Sequence, residues 1–242
     1  MRPMPATASS QTTDDNPLDH GGQRNPSASA LRPQGVSREL ITAILELARR
    51  APSGVNTQPW NVYVLQGASR DALVRLARSA LPALLSDVGA QSCFWDQFKR
   101  LPGSSSWPGP DWQQPGGDFL ASANAAFGGG NLQDAAALQR YFGLHGAPVA
   151  LVCTIDSALG LGSVLDCGMF LQNIAAAADD RGLYTEVQTG WRGLADNTLA
   201  QMEAPAATML LAVMAMGHAA PSAAHDGSSH QPQAQTSIVW HA

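Results

Sequence analysis

The chain has 242 residues, of which 45% are hydrophobic and 14% are charged, and its formal net charge is −5. This size and composition suit one sizeable hydrophobic core and do not require a second domain. The chain contains a single lysine, Lys99, and its arginines are scattered along the sequence. The sequence therefore argues against a nucleic-acid partner, which needs clustered cations.

The first 23 residues are rich in Ser, Thr, Pro, Asp and Gly and contain no apolar run. They predict a disordered polar tail, residues 1–23, ahead of a folded domain over residues 24–242, and they do not resemble a signal peptide or a membrane anchor. The longest apolar run, residues 209–216, is too short to span a bilayer and is typical of a buried strand. We expect no membrane partner.

The first predicted element is a helix over residues 37–50, with Ser37 placed to cap its first turn and Pro52 unable to continue its last one. Its apolar residues recur at helical spacing: Leu40, Ile41, Ile44, Leu45 and Ala48. A strand over residues 62–65 follows, and then a helix over residues 70–84.

The loop between this first helix and the strand reads Ala-Pro-Ser-Gly-Val-Asn-Thr-Gln-Pro-Trp over residues 51–60. Ser53, Asn56 and Gln58 supply a hydroxyl and two amides, and Gly54 lets the backbone come close to a planar or phosphorylated ligand. A polar loop held between rigid elements is a typical place for binding chemistry. The alternative is an ordinary turn with a Pro-Trp plug.

Residues 86–131 have a Gly-Pro-Ser background and predict a long irregular segment. Its tryptophans, Trp95, Trp107 and Trp112, either line a lid or pocket wall or simply cover the core. Further along, the pattern predicts a helix over 132–142, a strand over 149–155, a helix over 163–181 and a strand over 208–216. This order of elements indicates an α+β fold.

The long helix over residues 163–181 has an apolar face and a run of four alanines, residues 175–178, that lets another helix approach closely. The apolar face consists of Leu165, Met169, Phe170, Ile174 and Ala177. Burial within one chain and burial between two chains both fit this pattern.

The loop at 51–60 and three later segments, residues 146–149, 166–174 and 182–188, together resemble the nitroreductase family, whose members carry an Ala-Pro-Ser-x-x-Asn-x-Gln-Pro-Trp loop. The order and spacing agree over about three quarters of the chain, which chance matches of short motifs explain poorly. The resemblance implies a nitroreductase-like fold with a central, mainly antiparallel sheet flanked by helices. It also implies an intertwined homodimer with two flavin sites, each built from both chains.

The activity that the resemblance implies is transfer of reducing equivalents from NADH or NADPH through FMN to a small-molecule substrate, a nitroaromatic, quinone or similar electrophile. The cofactor carries the redox chemistry, so no catalytic side chain is needed. This agrees with six histidines that show no triad or metal-ligand spacing. The alternatives are a flavin-poor binding protein or pseudoenzyme, and a flavin-dependent dehalogenase or dehydrogenase.

The family's flavin contacts fall on two segments of this chain. On the first segment the residues expected at the flavin are Pro52, Ser53, Gly54 and Asn56. On the second segment they are Glu186, Val187, Gln188 and Thr189, where a backbone N–H meets the flavin's reactive nitrogen in the family. Asn56 is expected to bond the polar edge of the ring or the ribityl chain, whereas Gln58 and Trp60 are expected to be structural.

The family's phosphate-binding arginines are missing. The segment Arg-x-Ser-x-Arg aligns here with Pro26, Ser27 and Ser29, so Ser27 alone survives as a phosphate contact, and residues 230–233 contain no arginine. Arg24 and Arg32 lie nearby and could replace the lost charge. We therefore predict weak FMN binding.

The cysteines Cys93, Cys153 and Cys167 are widely spaced and include no Cys-x-x-Cys pair. They predict neither a disulfide framework nor a metal site. Cys167 is expected to be a small buried residue and not a reactive thiolate. This cysteine usage favours a cytoplasmic location.

Overall fold

The computed structural model describes residues 31–100, 123 and 135–220. Four antiparallel strands form its sheet in the order β1-β2-β4-β3. The strands are β1 (Asn61–Gln66), β2 (Val149–Asp156), β3 (Tyr184–Gln188) and β4 (Thr208–Gly217). The described helices are α1 (Arg38–Ala48), α2 (Ala68–Ser86), α3 (Val88–Phe98), α4 (Ala135–Phe142), α5 (Leu161–Asp179) and α6 (Ala195–Gln201).

The described residues also form three short 3-10 turns, Gly54–Asn56, Leu144–Gly146 and Thr189–Leu194. Several predictions concern residues outside the described part of the chain. These are the polar tail at 1–23, Ser27, Arg24, Trp107, Trp112 and residues 230–233.

The two central strands, β2 and β4, are buried on both sides because helices cover both faces of the sheet. Leu151 and Met214 pair across them and join the side that packs on α1 and α5, where Ile44 and Ile174 lie. Their neighbours along the strands point to the opposite side, as alternation in a strand requires, and join the core under α2, α3 and α4. Each edge of the sheet is a short strand, β1 on one side and β3 on the other.

The predicted start of α1 is confirmed by its cap. Ser37 has extended backbone angles, and its Oγ accepts a hydrogen bond of 3.2 Å from the Leu40 N–H. An N-cap of this kind satisfies one of the N–H groups that the first turn leaves without a partner. The other predicted helices and strands along the described chain are present, with ends shifted by a few residues.

The prediction of an irregular segment at 86–131 is wrong at its start, where α3 lies. Asp87 caps this helix by accepting from the Ala90 N–H, 2.6 Å away. Trp95 is 1% exposed and packs edge-on against Phe94 and Phe98, so it belongs to the core and not to a lid. The spacing of these aromatics at i, i+1 and i+4 is a helical signal that the surrounding small residues obscured.

The long helix α5 is apolar on more than one side. Phe170, Ile174 and Ala177 of its predicted face are buried, whereas Leu165 is 68% exposed in the single chain. By length and composition α5 is apolar enough to cross a bilayer, yet its inner side packs on α1 and the sheet. In the single chain only 28% of its most apolar stretch is buried.

Candidate functional site

The loop over residues 51–60 has an unusual backbone. Val55, Asn56 and Gln58 have positive φ angles of 47°, 59° and 44°. This left-handed region is tolerated by Asn but disfavoured for a β-branched residue such as Val. Strained backbone of this kind is concentrated at binding and catalytic sites, where the surrounding structure enforces it.

Hydrogen bonds inside the loop hold this conformation. The Gln58 N–H donates to Ser53 Oγ over 2.9 Å, and Gln58 Nε2 donates to Asn56 Oδ1 over 3.1 Å. Thr57 Oγ1 donates to the Gly54 carbonyl over 3.0 Å. The Ser53 hydroxyl is thus engaged within the loop, and the structural role predicted for Gln58 agrees with these contacts.

The loop is fastened to α5 at two points. The Gly54 N–H donates to Asp166 Oδ2 over 3.1 Å, and Asp166 is a buried residue of α5. The Trp60 indole stacks on the Phe170 ring, with centroids 4.7 Å apart and planes 2° from parallel. Sequence reasoning quoted Asp166 as part of a motif but gave it no role, because a contact between residues 112 positions apart leaves no local pattern.

The loop presents a polar strip to solvent. Pro52, Gly54 and Asn56 are exposed, Ser53 is half-buried, and Val55 at the tip is 97% exposed. Because Asn56 Oδ1 accepts from Gln58, its Nδ2 is the donor left for a ligand. The four predicted residues of this segment therefore lie together on one surface.

The second predicted segment lies at the end of β3. Val187 and Thr189 are exposed, and Glu186 is half-buried with its Oε2 3.1 Å from His145 Nε2, close but not aligned as a hydrogen bond. The Gln188 side chain is fully buried, and its Oε1 accepts from Trp191 Nε1 over 2.8 Å. The exposed residues of this segment are therefore Val187 and Thr189, and Gln188 is enclosed within the single chain.

Tyr141 fixes the turn that follows β3, a role that sequence reasoning missed. Its hydroxyl accepts the Gly190 N–H over 2.9 Å. Burial raises the pKa of Tyr141 well above its ordinary value, so the hydroxyl stays protonated at neutral pH. The turn Thr189–Leu194 is therefore held from the side of α4.

One chain does not bring its two predicted segments together. The loop at 51–60 leads into β1, and residues 186–189 end β3, which forms the other edge of the sheet. Three strand spacings separate these edges, or about 14 Å. We call residues 52–56 the loop half-site and residues 186–189 the strand half-site.

The described residues suit the ring of a flavin, whose edge carries hydrogen-bond donors and acceptors. The exposed Asn56 amide and the exposed residues Val187 and Thr189 of the strand half-site offer partners to such an edge. For a phosphate, Arg32 is the predicted substitute that the structure describes. Arg32 is exposed, and its backbone N–H donates to the His218 carbonyl, just beyond β4, over 2.8 Å.

The buried cysteines are unsuited to nucleophilic chemistry. Cys153 and Cys167 are 3% and 2% exposed, and burial raises the pKa of each thiol to about 12. Both remain protonated at neutral pH. The buried packing role predicted for Cys167 agrees with this. Among the described residues, no cluster of three His, Cys, Asp or Glu side chains is arranged to hold a metal ion.

The sequence profile of the Nitroreductase family matches residues 26–218. The chain belongs to the nitroreductase family. This confirms the family predicted from the loop and the downstream motifs, the α+β class with its antiparallel sheet, and the enzyme class of oxidoreductase.

Two relatives within this family are named for their substrates. The chain is 32% identical to a nitrobenzene nitroreductase of Ectopseudomonas oleovorans, over 77% of this chain and 79% of the relative. It is 36% identical to a 4-nitrobenzoate reductase of Pseudomonas putida, over 64% of this chain and 65% of the relative. The second match thus spans just under two thirds of that relative's length.

Solved nitroreductases share the fold. The FMN-dependent nitroreductase NfnB of Mycobacterium smegmatis, in complex with NADPH, superimposes with a TM-score of 0.64 at 25% identity, over 86% of this chain and 89% of that one. An FMN- and NADPH-dependent NfnB from Sphigopyxis sp. strain HMH gives a TM-score of 0.65 at 23% identity, over 86% and 90%.

Proposed function

We propose that this nitroreductase binds FMN and passes reducing equivalents from NADH or NADPH to a small nitroaromatic, quinone or similar electrophile. The observation that carries the proposal is the loop half-site, a strained polar strip that Asp166 fastens to α5. The relatives named for nitrobenzene and 4-nitrobenzoate favour nitroaromatics within this range. The structure of the FMN-dependent NfnB of Mycobacterium smegmatis in complex with NADPH supports the choice of FMN as cofactor and of a nicotinamide as reductant.

When bound, FMN supplies the hydride chemistry, and the chain's own residues bind and orient it. Asn56 donates from Nδ2 to the polar edge of the ring or to the ribityl chain. Asp166 holds the Gly54 N–H and so keeps the loop in its left-handed form. The backbone at the end of β3, steadied by the Tyr141 contact with Gly190, supplies an N–H to the ring.

We infer that the working unit is a homodimer, in which the loop half-site of one chain meets the strand half-site of its partner. Two observations support this arrangement. The half-sites lie at opposite edges of the sheet in one chain. The outer side of α5 is also apolar, with Leu161 58% and Leu165 68% exposed, and burial of such a surface against a second copy is favourable.

We also infer that the protein is cytoplasmic and has no nucleic-acid or membrane partner. Composition supports this through the scattered arginines, the acidic net charge and the unpaired cysteines. In this arrangement α5 is a helix of the folded domain, and its outer side contacts a second protein chain.

The test is the visible spectrum of the purified full-length protein, followed by NADH and NADPH oxidation with nitrobenzene, 4-nitrobenzoate and a quinone under anaerobic conditions. We expect FMN absorbance after reconstitution and substrate-dependent oxidation of a nicotinamide cofactor. A protein that retains no flavin at any FMN concentration would favour the binding-protein alternative. A flavoprotein inactive on all three acceptors would favour a dehalogenase or dehydrogenase.

A further inference from the structure

A pocket lies between the end of α3, the turn Thr189–Leu194, α6 and the start of β4. Its volume is about 500 Å³, and no residue of either half-site lines it. Leu199, Met209 and Leu210 give it apolar walls. Arg100, Asp196 and Arg192 are its charged residues. The pocket is large enough for a small organic molecule and is separate from the proposed flavin site.

Arg192 is a buried cation without a counterion in the described part of the chain. It is 6% exposed, and its guanidinium carbon lies 4.0 Å from the centre of the Phe98 ring. Its Nε is enclosed and has no hydrogen-bond partner among the described residues. Buried charges are normally paired, because an unpaired one loses its hydration without compensation.

The guanidinium remains charged in spite of its surroundings. Burial lowers the pKa of Arg192 to about 10, which is still well above neutral pH. A ring face beneath a guanidinium offsets part of the lost hydration, but it supplies no acceptor for an N–H. The Nε–H of Arg192 thus lacks an acceptor among the described residues.

The carboxylate among the residues that line the pocket, Asp196, is already engaged. Asp196 and Arg100 form a two-point ion pair at the rim, with Nη2 and Oδ2 3.0 Å apart, and both side chains are 55% exposed. Gln97 Oε1 accepts the Asp196 N–H over 2.9 Å and fixes the start of α6. With Asp196 neutralised by Arg100, the pocket keeps one net positive charge, on Arg192.

We propose that this pocket binds a small organic oxyanion, a carboxylate or a phosphate ester, with Arg192 as the group that holds the negative charge. The planar guanidinium matches both anions through paired hydrogen bonds. The walls at Leu199 and Met209 accept the organic part. This inference does not depend on the flavin proposal, because the pocket and the half-sites share no residue.

The binding test uses calorimetric titration of the full-length, FMN-reconstituted protein with benzoate, phenyl phosphate and benzamide. Benzamide has nearly the shape of benzoate but no charge, so it isolates the role of the anion. We expect saturable binding of benzoate or phenyl phosphate and none of benzamide, and the tighter of the two anions identifies the ligand class. The flavin spectrum, recorded in the same samples, detects ring stacking at the flavin separately.

Three variants locate the site. Arg192→Met removes the charge from the pocket. Ala206→Trp places a large side chain on the pocket wall and keeps the charge. Arg75→Met is the control, because it removes an exposed arginine of α2 that lies outside the pocket. We expect anion affinity to fall at least tenfold in the first two and to stay unchanged in the third. If Arg192→Met does not fold, Ala206→Trp decides. Absence of saturable anion binding, or binding that Ala206→Trp leaves unchanged, overturns the proposal.

Discussion

Asn56 joins the two roles of the loop half-site, because one atom of its amide holds the loop and the other faces outward. Its Oδ1 accepts from Gln58, and its residue is exposed. We predict that Asn56→Ala weakens FMN binding by about 1–3 kcal/mol, the usual cost of losing a partner in a desolvated contact. Titration of the apo-protein with FMN measures the effect.

The control for this prediction is Gln58→Ala, which breaks the same bond inside the loop but leaves the Asn56 amide in place. We expect it to weaken FMN binding less than Asn56→Ala does. Equal losses in the two variants would mean that Asn56 acts through the loop's shape alone. Unchanged FMN affinity in a folded Asn56→Ala protein would remove the residue from the site.

Arg32 tests how the flavin phosphate is held. The phosphate carries nearly two negative charges, and serine donors alone bring no countercharge. If Arg32 supplies it, Arg32→Ala lowers FMN affinity by about 1.5–3 kcal/mol, as for a hydrogen bond to a charged group, and leaves riboflavin binding unchanged. Parallel titrations with FMN and riboflavin measure the difference, with Arg75→Ala as a surface-charge control.

Two results would contradict this assignment of the phosphate contact. One is tight FMN binding that depends on the phosphate but not on Arg32. The other is an equal loss of affinity for FMN and for riboflavin, which would indicate damage to the fold around the backbone hydrogen bond from Arg32 to His218.

At the scale of elements, the turn Thr189–Leu194 depends on a glycine. A Cβ at Gly193 would lie 2.1 Å from the ring of Phe94, which is 2% exposed. The ring and the turn cannot both keep their places, so Gly193→Ala should lower the free energy of unfolding by about 1–3 kcal/mol, the range for overpacking a core. Denaturant unfolding followed by circular dichroism measures the loss.

A matched change on α5 separates this clash from a general effect of adding a methyl group. A Cβ at Gly162 meets no atom within 4 Å, so Gly162→Ala should be neutral or slightly stabilising. Phe94→Leu makes room beside the turn, so its combination with Gly193→Ala should cost less than the sum of the two single changes. Strict additivity would refute the clash.

The elements that local chemistry determines were predictable, and those that depend on distant contacts were not. Ser37 and the spacing of Ile41, Ile44 and Ala48 specify α1 within a few residues. The burial of Gln188 follows from the pairing of β3 with β4, opposite Val213, which no local pattern reveals.

The candidate site divides in the same way. The loop residues could be proposed as a site because their motif is contiguous in the sequence. Asp166 and Tyr141 were not assigned roles, because each meets its backbone partner, Gly54 or Gly190, only through the tertiary fold. A prediction from sequence alone thus gives the candidate residues of the loop but not the residues that hold the loop in place.

For the whole molecule, the decisive measurement is the oligomeric state. An α5 that is apolar on its outer side and half-sites at opposite edges both predict a homodimer at micromolar concentration. Light scattering of the purified protein should give twice the mass of the 25.3 kDa chain. A monomer that binds FMN tightly would contradict the shared-site arrangement.

Leu165→Glu, on the exposed side of α5, should shift the equilibrium toward monomer and at the same time weaken FMN binding.

The placement of β1 and β3 at opposite edges also has a genetic consequence. A chain defective in the loop half-site, such as Asn56→Ala, and a chain defective in the strand half-site, such as Thr189→Pro, should complement each other. In a mixed dimer, one site combines both defects and the other combines two intact halves. Random pairing of equal amounts makes half of all dimers mixed, and one of the two sites in each mixed dimer is intact. At an FMN concentration that fills intact sites but not defective ones, the mixture should therefore show about a quarter of wild-type activity.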